Sequence, residues 1–515
     1  MRVTLSITAR RCAAPTAATL LAGAGLIAAG GTAHASGPAP TFSTAAGSPV
    51  TTATQPISVA TGDLNGDNRI DIVTANYGSN TASVLLGNGS GGFGAKTDFA
   101  TGTKPKAVVL GDVNGDNKLD IVTSNWTTNN ASVLLGNGGG GFGAKTDFAT
   151  GAGPLAVALG DVNADNKLDI VTANFTGNSA SVLIGNGSGG FAAKTDFAMG
   201  TNPESIALGD VNGDNKLDIV TTISGTAPTG NKASVRLGNG NGTFAAKTDF
   251  ATGLRPVAVA LGDVNGDNRL DIVTTNWDAN TASVLRGNGN GTFQAKSDFA
   301  TGGRPEWVEL GDINGDNKLD LVTANQAANT VSVLRGNGDG TFEAKTDFGT
   351  STRPMSVALS DVNGDSKLDL VTPNYNINNA SVLLNSTANG APATLGLTFA
   401  GDTLKVDAPF GGGTGPIRRY VIQYNTPARA AAGKPWGVWA AGVRPNPAGL
   451  GLSFNLANVK DLAGCTIFAG FYGPDGGCTR PPVVGTQDVG QTKIYRVYAH
   501  NGTTWLGPVS LAVTR

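Results

Sequence analysis

Between residues 101 and 151 the apolar positions come in short runs, "KAVVL", "LDIVTSN", "ASVLL" and "FGAKTDFATG", each closed by glycine, asparagine or aspartate. Runs this short between such breakers predict β-strands, and four in succession predict an antiparallel meander. The unit returns along the chain with spacings of 49, 49, 49, 53, 49 and 49 residues, the extra four falling in the loop "TTISGTAPTGNKASV". A proline opens each unit, from Pro56 to Pro354, where a missing N–H does least harm at the start of a strand. No stretch of useful length between residues 40 and 390 has helical periodicity.

A fixed period near 50 residues signals a repeat architecture. Four-stranded units repeated radially make a β-propeller, and seven is within the usual range of blades. The predicted fold class is therefore all-β: a seven-bladed β-propeller over residues 41–388, followed by a small β-sandwich over 395–515. After "ASVLL" of the seventh unit the expected "GxFxAKTDF" strand is missing, replaced by "NSTANGAPAT". A candidate instead precedes the first unit in "TFSTAAGSPVTT", where Val50 takes the slot of Phe99. The N-terminal segment is thus expected to complete the last blade and latch the ring; the alternative is an open solenoid. The sandwich rests on alternating runs such as "IRRYVIQY" and "KIYRVYAHNGTTWLGPVSLAVT".

Composition narrows the class. With 14% charged residues and a net charge of -2, neither charge-driven disorder nor a nucleic-acid footprint fits. Residues 1–35 read as a secretory signal: Arg2, Arg10 and Arg11, the apolar run "ATLLAGAGLIAAGG", then Ala33-His34-Ala35. A secreted, extracellular protein without a membrane span is expected. In that oxidising setting Cys465 and Cys478 are expected to form a disulfide, the alternative being two free thiols.

Each unit carries an acidic turn, D-x-N-x-D-x-x-x-D. Position 1 is Asp63, Asp112, Asp161, Asp210, Asp263, Asp312 or Asp361; position 3 is Asn65, Asn114, Asn163, Asn212, Asn265, Asn314 or Asn363. Position 5 is Asp67, Asp116, Asp165, Asp214, Asp267, Asp316 or Asp365. Position 7, offering its backbone carbonyl, is Arg69, Lys118, Lys167, Lys216, Arg269, Lys318 or Lys367; position 9 is Asp71, Asp120, Asp169, Asp218, Asp271, Asp320 or Asp369. Oxygen ligands at 1, 3, 5, 7 and 9 open an EF-hand-like calcium loop, and the absence of His and Cys selects calcium over softer metals. Three carboxylates within nine residues repel unless a cation sits among them, so up to seven calcium ions are expected. The alternative is an ordinary hairpin turn without metal.

On these turns the chain resembles the FG-GAP/VCBS repeat family, the seven-bladed propellers typified by the integrin α-subunit head. The resemblance covers residues 41 to about 388. It implies calcium in the turn between the first and second strand of each blade, on the Asp and Asn residues just named. The C-terminal unit resembles a fibronectin type III domain, with Val406 and Lys493 where that family has its core Trp and corner Tyr.

The turns between the second and third strands should emerge on the opposite face, free for a ligand. There Tyr77, Trp126, Phe175, Trp277 and Tyr375 stand fourteen residues after the first aspartate of their units. Exposed aromatics stack on sugars or anchor protein partners, the alternative being packing between blades. The sixth unit breaks the pattern: Trp307 replaces a small residue on the first strand, and Glu309 follows on the same strand face. Together with Glu306 and Glu204 they are expected to line a pocket near the channel, the alternative being local packing that has drifted in this blade. Only His500 remains outside the signal segment, so a Ser-His-Asp arrangement lacks its base. The expected role is extracellular recognition or adhesion through a carbohydrate or protein ligand; the alternative is a polysaccharide lyase or hydrolase.

Overall fold

The structure, a computed structural model, describes residues 38–225 and 230–387; outside them it describes the backbone of short strands alone. The expected signal segment, the β-sandwich, the cysteine pair Cys465 and Cys478, and most of the four-residue insertion lie outside the described residues. Among the described residues there is no helix, and the strands form a ring of seven antiparallel sheets.

The second blade shows the pattern. Its strands Pro105–Gly111, Asp120–Asn125, Asn130–Leu134 and Thr146–Ala149 pair in sequence order, with Leu110 opposite Ile121 and Val122 opposite Val133. These are the four runs read from the sequence. The second strand is buried at every residue, because neighbouring blades cover both faces of the sheet. Its polar side chains must then find partners inside the protein. Thr123 Oγ1 donates to Asn125 Oδ1 (3.1 Å), Asn125 Nδ2 donates to Ser132 Oγ (2.8 Å), and Ser132 Oγ donates to Asp147 Oδ1 (2.6 Å). Lys145 closes the chain of bonds by pairing with Asp147 on the outer strand. A polar relay thus crosses from the second strand to the rim, and it recurs in other blades, as in Ser83 to Asp98 and Ser283 to Asp298 (2.6 Å each).

Blades join through a glycine. A Cβ on Gly111 would stand 2.8 Å from Leu159 Cδ1 and 2.9 Å from Leu168 Cδ1 of the next blade, so only glycine lets those leucines close over the strand end. One joint is built differently. In the seventh blade Ser360 takes the glycine position, the first blade offers Thr61 in place of leucine, and the two hydroxyls bond at 2.6 Å.

That joint is where the ring closes. Phe42–Thr44 and Val50–Thr51 both pair antiparallel with Asn379–Asn385, completing the seventh blade from the N-terminal side. Val50 lies opposite Ala380 as Phe99 lies opposite Ala82. The sequence did not mark Phe42, which packs edge-to-face on Phe348 at 4.8 Å, as Phe142 packs on Phe99 at 5.2 Å. It replaces the ring that the truncated last unit lacks, a contact worth about 1 kcal/mol beyond its buried area.

The C-terminal unit is described by strand backbone alone. Gly437–Val443, Arg419–Asn425, Thr492–His500 and Trp505–Thr514 form an antiparallel sheet in that order.

Candidate functional sites on the two faces of the ring

The acidic turn links the first strand to the second in every blade. In the first blade Asp63 Oδ1 accepts the N–H groups of Asn65, Gly66 and Asp67 at 3.3, 2.8 and 3.2 Å, and its Oδ2 accepts that of Asn68 at 2.8 Å. Burial pushes this carboxyl up, but the four amides outweigh it and hold the acid below its ordinary range. The turn closes because its sixth residue takes a left-handed φ, 60° at Asn68 and 66° at Ser366. In the third blade Ala164 holds φ 62° at the fourth position, which the others give to glycine.

Asp71 at the ninth position is fully buried and bridges two turns. Its Oδ2 accepts the N–H of Leu64 (2.9 Å) and its Oδ1 that of Gly87 (2.7 Å), pinning the acidic turn to the turn between the third and fourth strands. Burial raises its pKa, the two amides oppose this, and the nearby charges of Asp67 and Asp63 add to the rise. The equivalent Asp218 and Asp369 are pushed up to about 6, burial again being the main cause.

These carboxylates accept backbone amides. Among the described residues no group of three or more His, Cys, Asp or Glu side chains forms a ready metal cage. Backbone N–H groups thus meet part of the hydrogen-bonding capacity of these acids. The donor set still fits a hard divalent ion, since Asp63 Oδ2 and both oxygens of Asp71 each accept only one amide and keep a lone pair.

The opposite face carries the aromatic positions. Tyr77, Trp126, Phe175, Trp277 and Tyr375 are all half-buried at the ends of the second strands. They are engaged sideways: Trp126 with Phe175 at 5.7 Å and Tyr77 with Tyr375 at 6.3 Å between centroids. Cations cover several ring faces. The guanidinium groups of Arg255 and Arg304 each lie 4.2 Å from the Trp277 centroid, Arg353 lies 4.6 Å from Tyr375, and Lys106 and Lys104 lie 4.6 and 5.2 Å from Tyr77. The expectation of open stacking faces is thus corrected for Trp277, over whose ring two guanidinium groups lie.

The stacked residues Lys104, Arg255, Arg304 and Arg353 each precede a blade-opening proline and hold φ between 54° and 62°. The reason is the strand end: the carbonyls of Lys104, Arg255 and Arg353 accept the N–H groups of Trp126, Trp277 and Tyr375 at 2.9 to 3.0 Å. Each left-handed lysine or arginine costs about 1 kcal/mol or more.

The residue after each of these prolines is Ile57, Lys106, Leu155, Glu204, Val257, Glu306 or Met355, so the second, fourth and sixth blades send charges where the others send apolar groups. Burial lowers the pKa of Lys106, opposed by Glu306 and Glu204. Burial raises Glu204 to about 7, with Ser224, Glu306, Arg255 and Lys106 as its neighbours. Glu306 is also raised by burial, against Lys106, Arg255 and Arg353. Sequence reasoning missed Lys106 and the arginines; the available signal was their break with the repeat at a fixed register beside proline.

Further along the axis lies a cavity of about 440 Å³ lined by the first strands. Trp307 and Glu309 stand in its wall, and Trp307 Nε1 donates to Glu309 Oε1 at 2.9 Å. Burial pushes Glu309 up to about 7 against that hydrogen bond. Glu204 and Glu306, grouped with these two on sequence grounds, are coupled instead to Lys106 and Arg255.

The FG-GAP-like repeat model matches residues 63–123, 161–221, 223–274, 263–323 and 312–372, together more than half of the chain. No curated protein sequence matches it. Among solved structures it is similar to BBS1N in complex with ARL6DN, at 12% identity and a TM-score of 0.48 over 68% of this chain and 98% of that one. A catalytically inactive virginiamycin B lyase from Staphylococcus aureus gives 12% identity and 0.45 over 67% and 98%. A putative 6-phosphogluconolactonase from Bacteroides fragilis gives 15% and 0.44 over 68% and 95%. These likenesses are of fold alone.

Proposed function

As the chain belongs to the FG-GAP-like repeat family, we propose that it is an exported calcium-binding propeller that recognises an extracellular ligand at the channel mouth opposite its acidic turns. One observation carries this reading. In a ring whose blades are near copies, Lys106, Glu204 and Glu306 replace apolar residues on three first strands and face one another in the channel mouth. A ring held together only by packing has no use for such charges, whereas a concave site with a few convergent polar groups is what a ligand needs. Carbohydrate is the first ligand class and a protein surface the second. In the acidic turns, calcium would be held by Asp63, Asn65, Asp67, the Arg69 carbonyl and Asp71, and by their counterparts in the other blades. When bound it supplies positive charge among the three carboxylates. Export rests on the N-terminal "ATLLAGAGLIAAGG" and the residues flanking it.

A glycan array probed with the purified chain tests the reading, followed by titration of a retained saccharide into the Lys106→Met variant. Binding weakened in the variant is the expected result. A saccharide bound equally by both proteins moves the site away from the channel, and an array without any retained saccharide removes carbohydrate as the ligand class. A second reading, cleavage of a polysaccharide, rests on the same Lys106, Glu204 and Glu306. Release of new chain ends from a retained polymer favours it.

A further inference from the structure

The channel mouth presents more than a generic polar site, and its charges point to the chemistry of the ligand. Its turns and strand starts carry the cations Lys104, Lys106, Arg255, Arg304 and Arg353, against the carboxylates Glu204, Glu306 and Asp278. Lys106 and Arg255 lie near both channel glutamates, and Arg353 near Glu306. Five cations against three carboxylates still leave the mouth a positive excess, with the arginines on its rim. Arg255 and Arg304 lie against Trp277, and Arg353 against Tyr375, so the ring faces are used up in holding guanidinium groups. An arginine seated this way keeps its N–H fork free in its own plane and loses little freedom on binding. Arg304 and Arg255 are exposed, and the Nε–H of Arg353 is buried without a protein acceptor. The left-handed backbone at these positions fixes where the side chains start.

The rim on the second and third blades differs. Trp126 and Phe175, 5.7 Å apart, contact each other, and among the described residues no cation is stacked on either. An apolar aromatic patch on the second and third blades and forked cations on the fifth to seventh, around one channel mouth, suit a chain of sugar rings with C–H-rich faces and anionic substituents.

We infer that the ligand of this mouth is an acidic saccharide, a polymer or oligomer of sugar rings bearing carboxylate or sulfate groups, with the anions taken by Arg255, Arg304 and Arg353 and a ring face laid on Trp126 and Phe175. The inference rests on the reading that the channel mouth is the ligand face.

The test uses the full chain and four probes: polygalacturonate, chondroitin sulfate, neutral galactan and polyglutamate, each titrated at low and high ionic strength. At least one acidic polysaccharide is expected to bind more than about tenfold tighter than galactan, and to weaken as salt screens the contacts. Comparison of the two acidic polymers tells carboxylate from sulfate recognition. The Arg255→Gln/Arg304→Gln double variant, checked for a wild-type unfolding midpoint, is expected to lose more than about tenfold in affinity for that polymer. If the double variant does not fold, Arg304→Gln alone is measured. Galactan bound as tightly as the acidic polymers overturns the inference and leaves the channel reading standing. So does a folded variant that binds like the wild type. Polyglutamate bound as tightly overturns the saccharide and points to an acidic peptide. If none of the four probes binds, the acidic saccharide falls; a different saccharide retained on the glycan array and weakened in the channel variant would show that the channel reading survives it.

Discussion

Glu309 occupies a position on the first strand where the other blades place Ala60, Val109, Ala158, Ala207, Ala260 and Ala358. Its polar partner in the wall of the cavity is the Trp307 indole, a neutral donor whose hydrogen bond offsets only part of the loss of water when the acid ionises. Its pKa rises from 4.5 to about 7. The sign of the effect follows from linkage. The unfolded chain releases the proton near pH 4.5 and the folded protein only near pH 7, so stability present at low pH is lost as pH rises through that window and is constant above it. Glu309→Gln keeps an acceptor for Trp307 and removes the titration. Relative to wild type the variant is expected to gain about 1.4 kcal/mol per unit of pKa difference between pH 5 and pH 8. Urea unfolding at both pH values measures this, and a difference that stays the same at both contradicts the account.

At the scale of the element, the acidic turn shows how one residue type can serve two ends. Asp120 accepts the N–H of Val113 at 2.9 Å and of Gly136 at 2.8 Å while fully buried, so it bolts two turns together with or without a metal. Asp120→Asn puts an amide donor against one of those N–H groups. The expected cost is about 2 kcal/mol, seen in denaturant unfolding even in EDTA. The proposed calcium adds to this: in the wild type, calcium should raise the thermal midpoint and EDTA lower it, by mass action on the native state. A midpoint indifferent to both ends the calcium proposal, while loss of stability in Asp120→Asn would still stand on its own. The turn's acids were legible in sequence because their spacing repeats in every unit. Their bonding was not, because which N–H a carboxylate meets depends on the turn that folds over it, as Gly136 lies sixteen residues from Asp120.

For the whole molecule the decisive contact joins the two ends of the ring. Phe42–Thr44 and Val50–Thr51 cover the strand Asn379–Asn385, which would otherwise be an open edge. The Ser360–Thr61 hydroxyl pair replaces glycine–leucine packing at the same joint. A chain beginning after Thr52 is expected to lose the cooperative unfolding of the full protein and to associate through the bare edge, visible as larger species in size-exclusion chromatography. A monomer that unfolds like the full chain would show that the latch contributes nothing. Much of this architecture was readable beforehand: period, blade number, strand order and the Val50 register all follow from repetition. The channel mouth was readable only in part. Trp307 and Glu309 stood out as large residues in a column of small ones, whereas Lys106, Arg255, Arg304 and Arg353 sit in columns that vary from unit to unit.

The sequence by itself determined that the chain makes four short strands again and again, because alternation and turn residues act over a few positions and repeat with the period. It also determined which acids gather in one turn, since nine consecutive residues cannot be far apart. The tertiary structure decided what those groups face. It set arginines from adjoining blades over the ring of Trp277, brought Lys106 toward Glu306 across the channel, and gave Asp71 the amide of Gly87. Such pairings join residues separated by tens or hundreds of positions, and their energies exist only once closure of the ring has brought the blades together.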